Sequence, residues 1–408
     1  MAILPGAVEA LGWPAQLTGE PYTAPALVTP WAETRDGRRC TPARDKGEPG
    51  TVWRTVRIVS EGRGPSVVAM VPSWDDFGAL SECRDRKSAL AFLRQFHQTV
   101  GYPWRGLVAE TTGGLIRATH PIEHGGAQVY RGDDMPAPAT NDLEAVSNYC
   151  RPWTTAELSA GYLHAFDQRA QFLAPLGSLS LGRGDVIHHP EGLAYRKGTP
   201  ALYRLAEALP ADLGDGLPVP WGPGPWYMGE TVERAAELLT PPPVVEAYTW
   251  PEKGRYLEGF CKRLRAAIKA LDGSTAPGAR EALAAVKACY RIQVGRLGAA
   301  HLAETKAAMY RPCWRLAVIA KSRCNLDRRL RPLDVRPVRV ATDAAYFVTD
   351  EPDPLTFGAV LGLPMTPDLG HFKPAGTVKL SPKLAAELSA LAGTPGRFDR
   401  RLKRELEK

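Results

Sequence analysis

Residues 336–351 read RPVRVATDAAYFVTDE, and the fold turns on how they are read. Val338 and Val340 share one side of an alternating pattern with Arg339 on the other, and beyond the tip Tyr346 and Val348 alternate with Phe347 and Thr349. This alternation predicts a β-hairpin whose connection is Thr342-Asp343-Ala344-Ala345. The connection has no Asn-Gly or Gly-X pair, so alternation alone carries the hairpin. Asp343 at its tip has two readings. It is a turn residue that bonds its own backbone, or it is a carboxylate projected beyond a sheet for chemistry.

Working outward, the chain of 408 residues is 44% apolar and 23% charged, a composition that folds and buries a sizeable core in two or three domains. Disordered and collagen-like classes are excluded. No apolar run is long enough to span a bilayer, and the start MAILPGAVEALGWPAQ has no basic region before an apolar one. No membrane partner and a cytoplasmic, nucleoid-associated location are expected. Seven dispersed cysteines without a C-x-x-C pair predict neither a disulfide framework nor a zinc site. His188 and His189 are adjacent, so on a strand they point to opposite faces and do not share a metal.

The net charge is +7, and cations cluster in KRLRAAIK (262–269), KSRCNLDRRLR (321–331) and RFDRRLKRELEK (397–408). Such stripes attract polyanions through counterion release, which makes nucleic acid the leading partner; a solvated basic face is the alternative for each cluster taken singly. Arg323 and Arg328 are the candidate nucleic-acid contacts of the second cluster.

Along the chain, residues 1–150 combine strand-like pieces (TVWRTVRIV, SVVAMV) with a helical pattern, KSALAFLRQFHQTV, as in a mixed α/β unit. Pro and Gly make 209–226 a loop. From 254 onward two amphipathic helices follow, separated by DGSTAPG, then a third over about 300–330 that breaks or kinks near Pro312. An apolar helix, KLAAELSALAG, and a basic tail come after the hairpin.

Two further segments accompany the hairpin. In YLHAFDQRAQF, Asp167 ends a short apolar run and Phe172 stands five residues on; an amphipathic helix with Asp167 on its wet face is the plain reading. In the second helix Lys287 precedes Gly295 by eight residues, and Arg280 and Arg291 fall on nearly the same face as Lys287, a cationic stripe that a solvated helix face also produces.

The succession resembles the family-B DNA polymerases, as a small and divergent member of a kind found in plasmids, phages and other mobile replicons. Family motif A runs D-x-x-S-L-Y-P, and Asp167 and Phe172 stand at its aspartate and tyrosine. Motif B runs K-x-x-x-N-S-x-Y-G, and Lys287 and Gly295 hold its ends, with Arg291 for the asparagine and Val294 for the tyrosine. Motif C runs Y-G-D-T-D-S; Thr342 and Asp343 match, and Ala341 replaces the first aspartate. Lys373, in LGHFKPAGT, is similar to the lysine of the K-x-Y element that holds the primer terminus, without its tyrosine.

The resemblance covers about 150–375 and implies an α/β (α+β) right-hand polymerase. An N-terminal mixed α/β domain (1–150), either a decayed exonuclease or a separate DNA-binding piece, would precede an antiparallel-sheet palm (151–245, motif A). Helical-hairpin fingers (246–300), the second palm segment (301–372, motif C) and a short thumb or basic tail (373–408) would follow. It implies Asp167 and Asp343 as catalytic metal ligands with the Gln168 carbonyl as a third, for Mg²⁺ or Mn²⁺. Lys287, Arg280 and Arg291 would meet the nucleotide's phosphates, and Phe172 would exclude a 2′-hydroxyl. Gly295 and Lys373 would contact nucleic acid.

Primer-template DNA and deoxynucleoside triphosphates are the implied partners, with accessory replication proteins where processivity is required. Residues 1–130 carry no D-x-E pair, and Asp142-Leu143-Glu144 lies too near Asp167 to belong to a separate exonuclease. Proofreading is therefore not expected. Two alternatives stay open: a catalytically inactive, polymerase-like replication or telomere-associated factor, to which Ala341 points, and a reverse transcriptase or primase-like enzyme.

Overall fold

The computed structural model describes residues 86–104, 108–119, 136, 143–299 and 310–406, together with the backbone of five strands within residues 2–72. Contacts divide the chain into two units, residues 1–121 with 259–293 and residues 122–258 with 294–408.

In chain order the elements are β1 (Ala2–Ile3), β2 (Ala32–Glu33), β3 (Arg39–Cys40), β4 (Trp53–Val59), β5 (Ser66–Pro72), α1 (Arg86–Val100) and α2 (Val108–Thr119). Next come β6 (Asn148–Cys150), α3 (Thr155–Ser159), β7 (Tyr162–Gln168), α4 (Leu173–Ser178), β8 (Leu181–Arg183), β9 (Ile187–His189), β10 (Ala201–Leu205) and β11 (Trp226–Met228). Then follow α5 (Gly229–Leu238), β12 (Val244–Thr249), β13 (Glu252–Gly254), α6 (Glu258–Leu271), α7 (Ala279–Leu297) and α8 (Pro312–Leu330). The chain continues with β14 (Arg339–Ala341), β15 (Ala344–Thr349), α9 (Pro354–Val360), β16 (Phe372–Lys379), α10 (Pro382–Ala390) and α11 (Pro395–Leu406). The mixed α/β class holds, and every strand pairing among the described residues is antiparallel.

In the first unit the strands form one sheet of order β1-β5-β4 and a two-stranded pair, β2-β3. Phe92, Phe96 and Trp104 meet edge to face, with Trp104 5.4 and 5.2 Å from the two phenylalanine ring centres. Gly278, before α7, holds a backbone φ of +81°, and a Cβ there would stand 2.3 Å from the Ala91 backbone of α1. Only glycine satisfies both the angle and that approach.

The second unit is organised by a five-stranded sheet of order β16-β7-β15-β14-β6. One face packs Leu163, Val348 and Val378 against Leu384 and Leu388 of α10 and Phe398 and Leu402 of α11. The other packs Phe166, Phe347, Phe372 and Val340 against Leu326 and Leu330 of α8 and Phe357 of α9. The central strand β7 is therefore covered on both sides, and Leu163 through Phe166 are all buried. A strand buried on both faces loses the alternation that identifies strands, which is why YLHAFDQ reads equally well as one side of a helix. The helical reading of Asp167 gives way to this strand. His164, buried inside it, is satisfied by Thr377 Oγ1 at 2.9 Å and the Glu351 carbonyl at 2.8 Å.

The hairpin forms with two corrections. Ala341 pairs with Ala344, so the turn is only Thr342-Asp343. Thr342 takes φ +53°, the left-handed backbone that such short turns demand and that glycine or asparagine ordinarily supplies. Val338 does not share a face with Val340: it joins the cluster under α10 and α11, and Val340 the one under α8. The cause is a bulge, since the Val338 N–H donates to the Tyr346 carbonyl at 2.8 Å while Arg339 is the register partner of Tyr346.

A smaller sheet of order β11-β10-β12-β9 lies on α5, with Tyr203, Tyr227 and Ala247 packed on Val232 and Ala235. His188 and His189 face opposite ways on β9, one bonded to Glu246 and the other to Thr249. Pro312 begins α8 rather than kinking a longer helix; residues 300–309 lie outside the described residues. The described cysteines, Cys150, Cys261, Cys289, Cys313 and Cys324, are buried thiols outside any disulfide.

Candidate active site

Strand register places the two aspartates at one end of the five-stranded sheet. Lys373, Asp167, Ala344, Ala341 and Asn148 form a single row across β16, β7, β15, β14 and β6. Asp343 adjoins Ala344, the direct partner of Asp167. Directly opposite residues are about 5 Å apart across a ladder and consecutive ones 3.8 Å along the chain, so the two aspartate Cα atoms lie within about 9 Å.

The tip is held from three sides. The Gln168 N–H donates to the Asp343 carbonyl at 2.8 Å, the Thr342 N–H to the Ser147 carbonyl at 2.7 Å, and the Gln171 amide to the Thr342 carbonyl at 2.9 Å. Thr342 and Ala170 (φ +49°) are the only non-glycine residues with positive φ among those described, and both sit at this end of the sheet. Left-handed backbone at a β-branched residue costs of order 1–3 kcal/mol and persists where surrounding contacts over-determine it.

The electrostatics of the row are mixed. The Lys373 ammonium stands 3.1 Å from Asp167 Oδ2, with both side chains partly open to solvent. Ala341, where a further carboxylate would extend the row, offers none. Tyr346 lies one row back on the same face, and its hydroxyl pKa is raised, chiefly by burial and then by Asp399, Asp167 and Asp343, against the opposing Arg339. The buried Arg339 guanidinium holds Asp399 of α11 through two bonds of 2.9 and 2.7 Å, which fixes α11 across this face just behind the aspartates.

The donors at this end are all oxygens: two carboxylates, the nearby backbone carbonyls and the Gln171 Oε1, a buried acceptor with no hydrogen-bond partner. That set fits a hard divalent cation such as Mg²⁺. Among the described residues no three His, Cys, Asp or Glu side chains gather around one point.

The remaining expected residues lie on other elements. Phe172 is half-buried immediately before α4. Arg280, Lys287 and Arg291 lie on α7 in the first unit, the two arginines exposed and the lysine half-buried. Gly295 follows on α7, exposed, with open space where a Cβ would stand.

Arg323 is corrected: it is buried and paired with buried Glu144, so it has no exposed charge to offer a phosphate. Arg328 is likewise engaged, by both oxygens of Glu237 at 2.9 and 2.7 Å. Glu144 thus serves as an internal counter-ion, and Asp142 lies outside the described residues. Sequence reading missed Gln171 and Tyr346. No motif marks them; they matter through which residues the register brings beside them.

No protein-family model matches the sequence, and no curated protein matches it. Among solved structures the chain is similar to phi29 DNA polymerase. For the ternary complex with primer-template DNA and incoming nucleotide the TM-score is 0.46 at 10% identity, covering 86% of this chain and 70% of that one. For the orthorhombic crystal form it is 0.44 at 11% identity over the same shares, and for the complex with single-stranded DNA 0.44 at 8%.

Proposed function

We propose that this chain is a template-directed DNA polymerase of family-B type that adds deoxynucleotides to a 3′-hydroxyl by two-metal-ion nucleotidyl transfer, without a proofreading exonuclease. One observation carries it: Asp167 and Asp343, 176 residues apart in sequence, stand on neighbouring strand ends of one antiparallel sheet, at a tip whose strained backbone is pinned from three sides. A turn aspartate needed only for local bonding calls for no such partner across the ladder.

Asp167, Asp343 and the Gln168 carbonyl would hold the divalent ions. Mg²⁺ or Mn²⁺ bound there would favour the 3′-alkoxide and neutralise charge on the triphosphate and leaving pyrophosphate. Lys287, Arg280 and Arg291 would meet the triphosphate, the arginines by bidentate contact. Phe172 would crowd a 2′-hydroxyl. Lys373, an ammonium beside Asp167, would hold the primer terminus and yield Asp167 to the metal. Primer-template DNA and deoxynucleoside triphosphates are the proposed partners.

Ala341 together with the Lys373–Asp167 pair favours a second reading, a nucleic-acid-binding replication factor that has lost catalysis. A primed template with dNTPs and Mg²⁺ or Mn²⁺ separates the two. Extension by the natural chain that falls a hundredfold or more in Asp343→Asn supports the enzyme, since a lost metal-binding carboxylate removes several kcal/mol of charge stabilisation, on the order of 3. DNA binding with no extension by either protein supports the second reading. In an active chain, Phe172→Ala is expected to raise ribonucleotide incorporation in single-nucleotide assays; unchanged discrimination would remove Phe172 from that role.

A further inference from the structure

The β11-β10-β12-β9 sheet carries a feature that the aspartate site does not use. Its inner face is core, but its other face holds Trp226, Arg204 and Glu246 in one row and Met228, Leu202, Tyr248 and His188 in the next. Leu202 and Met228 are buried, whereas Trp226 and Tyr248 are half-buried and His188 is exposed. The three rings form a ladder: His188 stacks on Tyr248 at 4.5 Å with planes 11° apart, and Trp226 lies 5.6 Å from Tyr248. The one acid on this face, Glu246, is held by His188 at 2.8 Å and Arg204 at 3.2 Å. Its charge is therefore offset on the spot. Lys253, exposed beside Glu252 just past the end of β12, bonds the Gly198 carbonyl that precedes β10.

We infer that this face is a stacking platform for single-stranded DNA. Every base has a π-face, so a row of rings on a sheet binds unpaired bases with little sequence preference, while Lys253 at the rim meets the phosphates. Duplex DNA hides those base faces and gains nothing from the rings. A protein ligand is disfavoured because the face offers no continuous apolar patch, its rings being interleaved with Arg204 and Glu246. The platform is independent of catalysis by Asp167 and Asp343.

Fluorescence anisotropy with a labelled oligo-dT of about 15 nucleotides, on the full chain carrying Asp343→Asn and without nucleotide, tests it. Trp226→Ala is expected to weaken binding roughly tenfold, in line with alanine substitution at base-stacking aromatics, and Trp226→Phe to restore most of it. The slope of log affinity against log salt should stay unchanged, because no phosphate contact is lost. An abasic oligonucleotide of the same length should bind both proteins alike. Equal loss on the abasic strand, no loss on oligo-dT, or a Trp226→Phe variant as weak as Trp226→Ala overturns the platform. Failure of primer extension leaves these binding results standing, so the two readings fail separately.

Discussion

Thr342 shapes the turn that carries Asp343. It is β-branched, occupies the left-handed region at φ +53°, and is fixed by an N–H bond to Ser147 and a carbonyl bond from Gln171. Glycine at this position would relieve the steric strain and add unfolded-state entropy, a net stabilisation of about 1 kcal/mol. It would also free the tip to place Asp343 elsewhere. Thr342→Gly is therefore expected to raise the urea midpoint slightly while lowering primer extension; a variant that gains stability and keeps full extension would show that the strained turn is not needed to position Asp343. The sequence made Asp343 legible as the tip of a hairpin, because alternation survives on either side of it. It did not make Thr342 legible, because nothing in a threonine announces a positive φ.

Between elements, an ion network joins α8 to α5 and to Glu144 and Asp215. Lys321 meets Glu233, Arg323 meets Glu144, Arg234 bridges Asp327 and Glu237, and Arg331 joins Asp327 to Asp215. The hydrogen bond from Arg328 above all, and that from Arg234, hold the Glu237 carboxyl at about 2, below its ordinary 4.5. A carboxyl lowered in the folded chain contributes stability that is whole above about pH 4.5 and is lost as pH falls from there toward 2. Glu237→Gln is thus expected to melt lower than the natural chain at pH 6, with the difference shrinking by pH 3; thermal scans at the two pH values check it. Because Glu237 is partly exposed, solvent screening keeps the effect modest. Here the sequence misled for a physical reason. A helix rich in arginine reads as a polyanion surface until its acidic partners, supplied from residues as far as 179 positions away, are folded against it.

At the scale of the molecule, a net charge of +7 leaves an excess of cations, and the structure decides where that excess faces solvent. Of the three basic clusters, 321–331 is largely spent internally, whereas Lys262, Arg263, Arg265 and Lys269 on α6 and Arg397, Arg400, Lys403 and Arg404 on α11 are exposed. On α11, Arg397, Arg400 and Arg404 recur at helical spacing on one side, and Phe398 and Leu402 anchor the other in the core. Replacing those three arginines by glutamine is expected to weaken duplex DNA binding and to reduce the salt slope by about 2 to 3, close to 0.9 per lost phosphate contact. Titrations between low and physiological salt measure it, and an unchanged slope would take α11 out of the DNA contact.

What the sequence determined by itself is local. It fixed which stretches become the hairpin, the helices and the proline- and glycine-rich loop, because period, turn chemistry and helix breakers act over a few residues. The tertiary structure alone decided that Asp167 lies on a strand, that it shares a row with Lys373 and adjoins Asp343, and that Arg323 is an interior charge. Those facts follow from strand register and from which face each element buries. Both are set by packing between residues far apart in the chain, which no local pattern encodes.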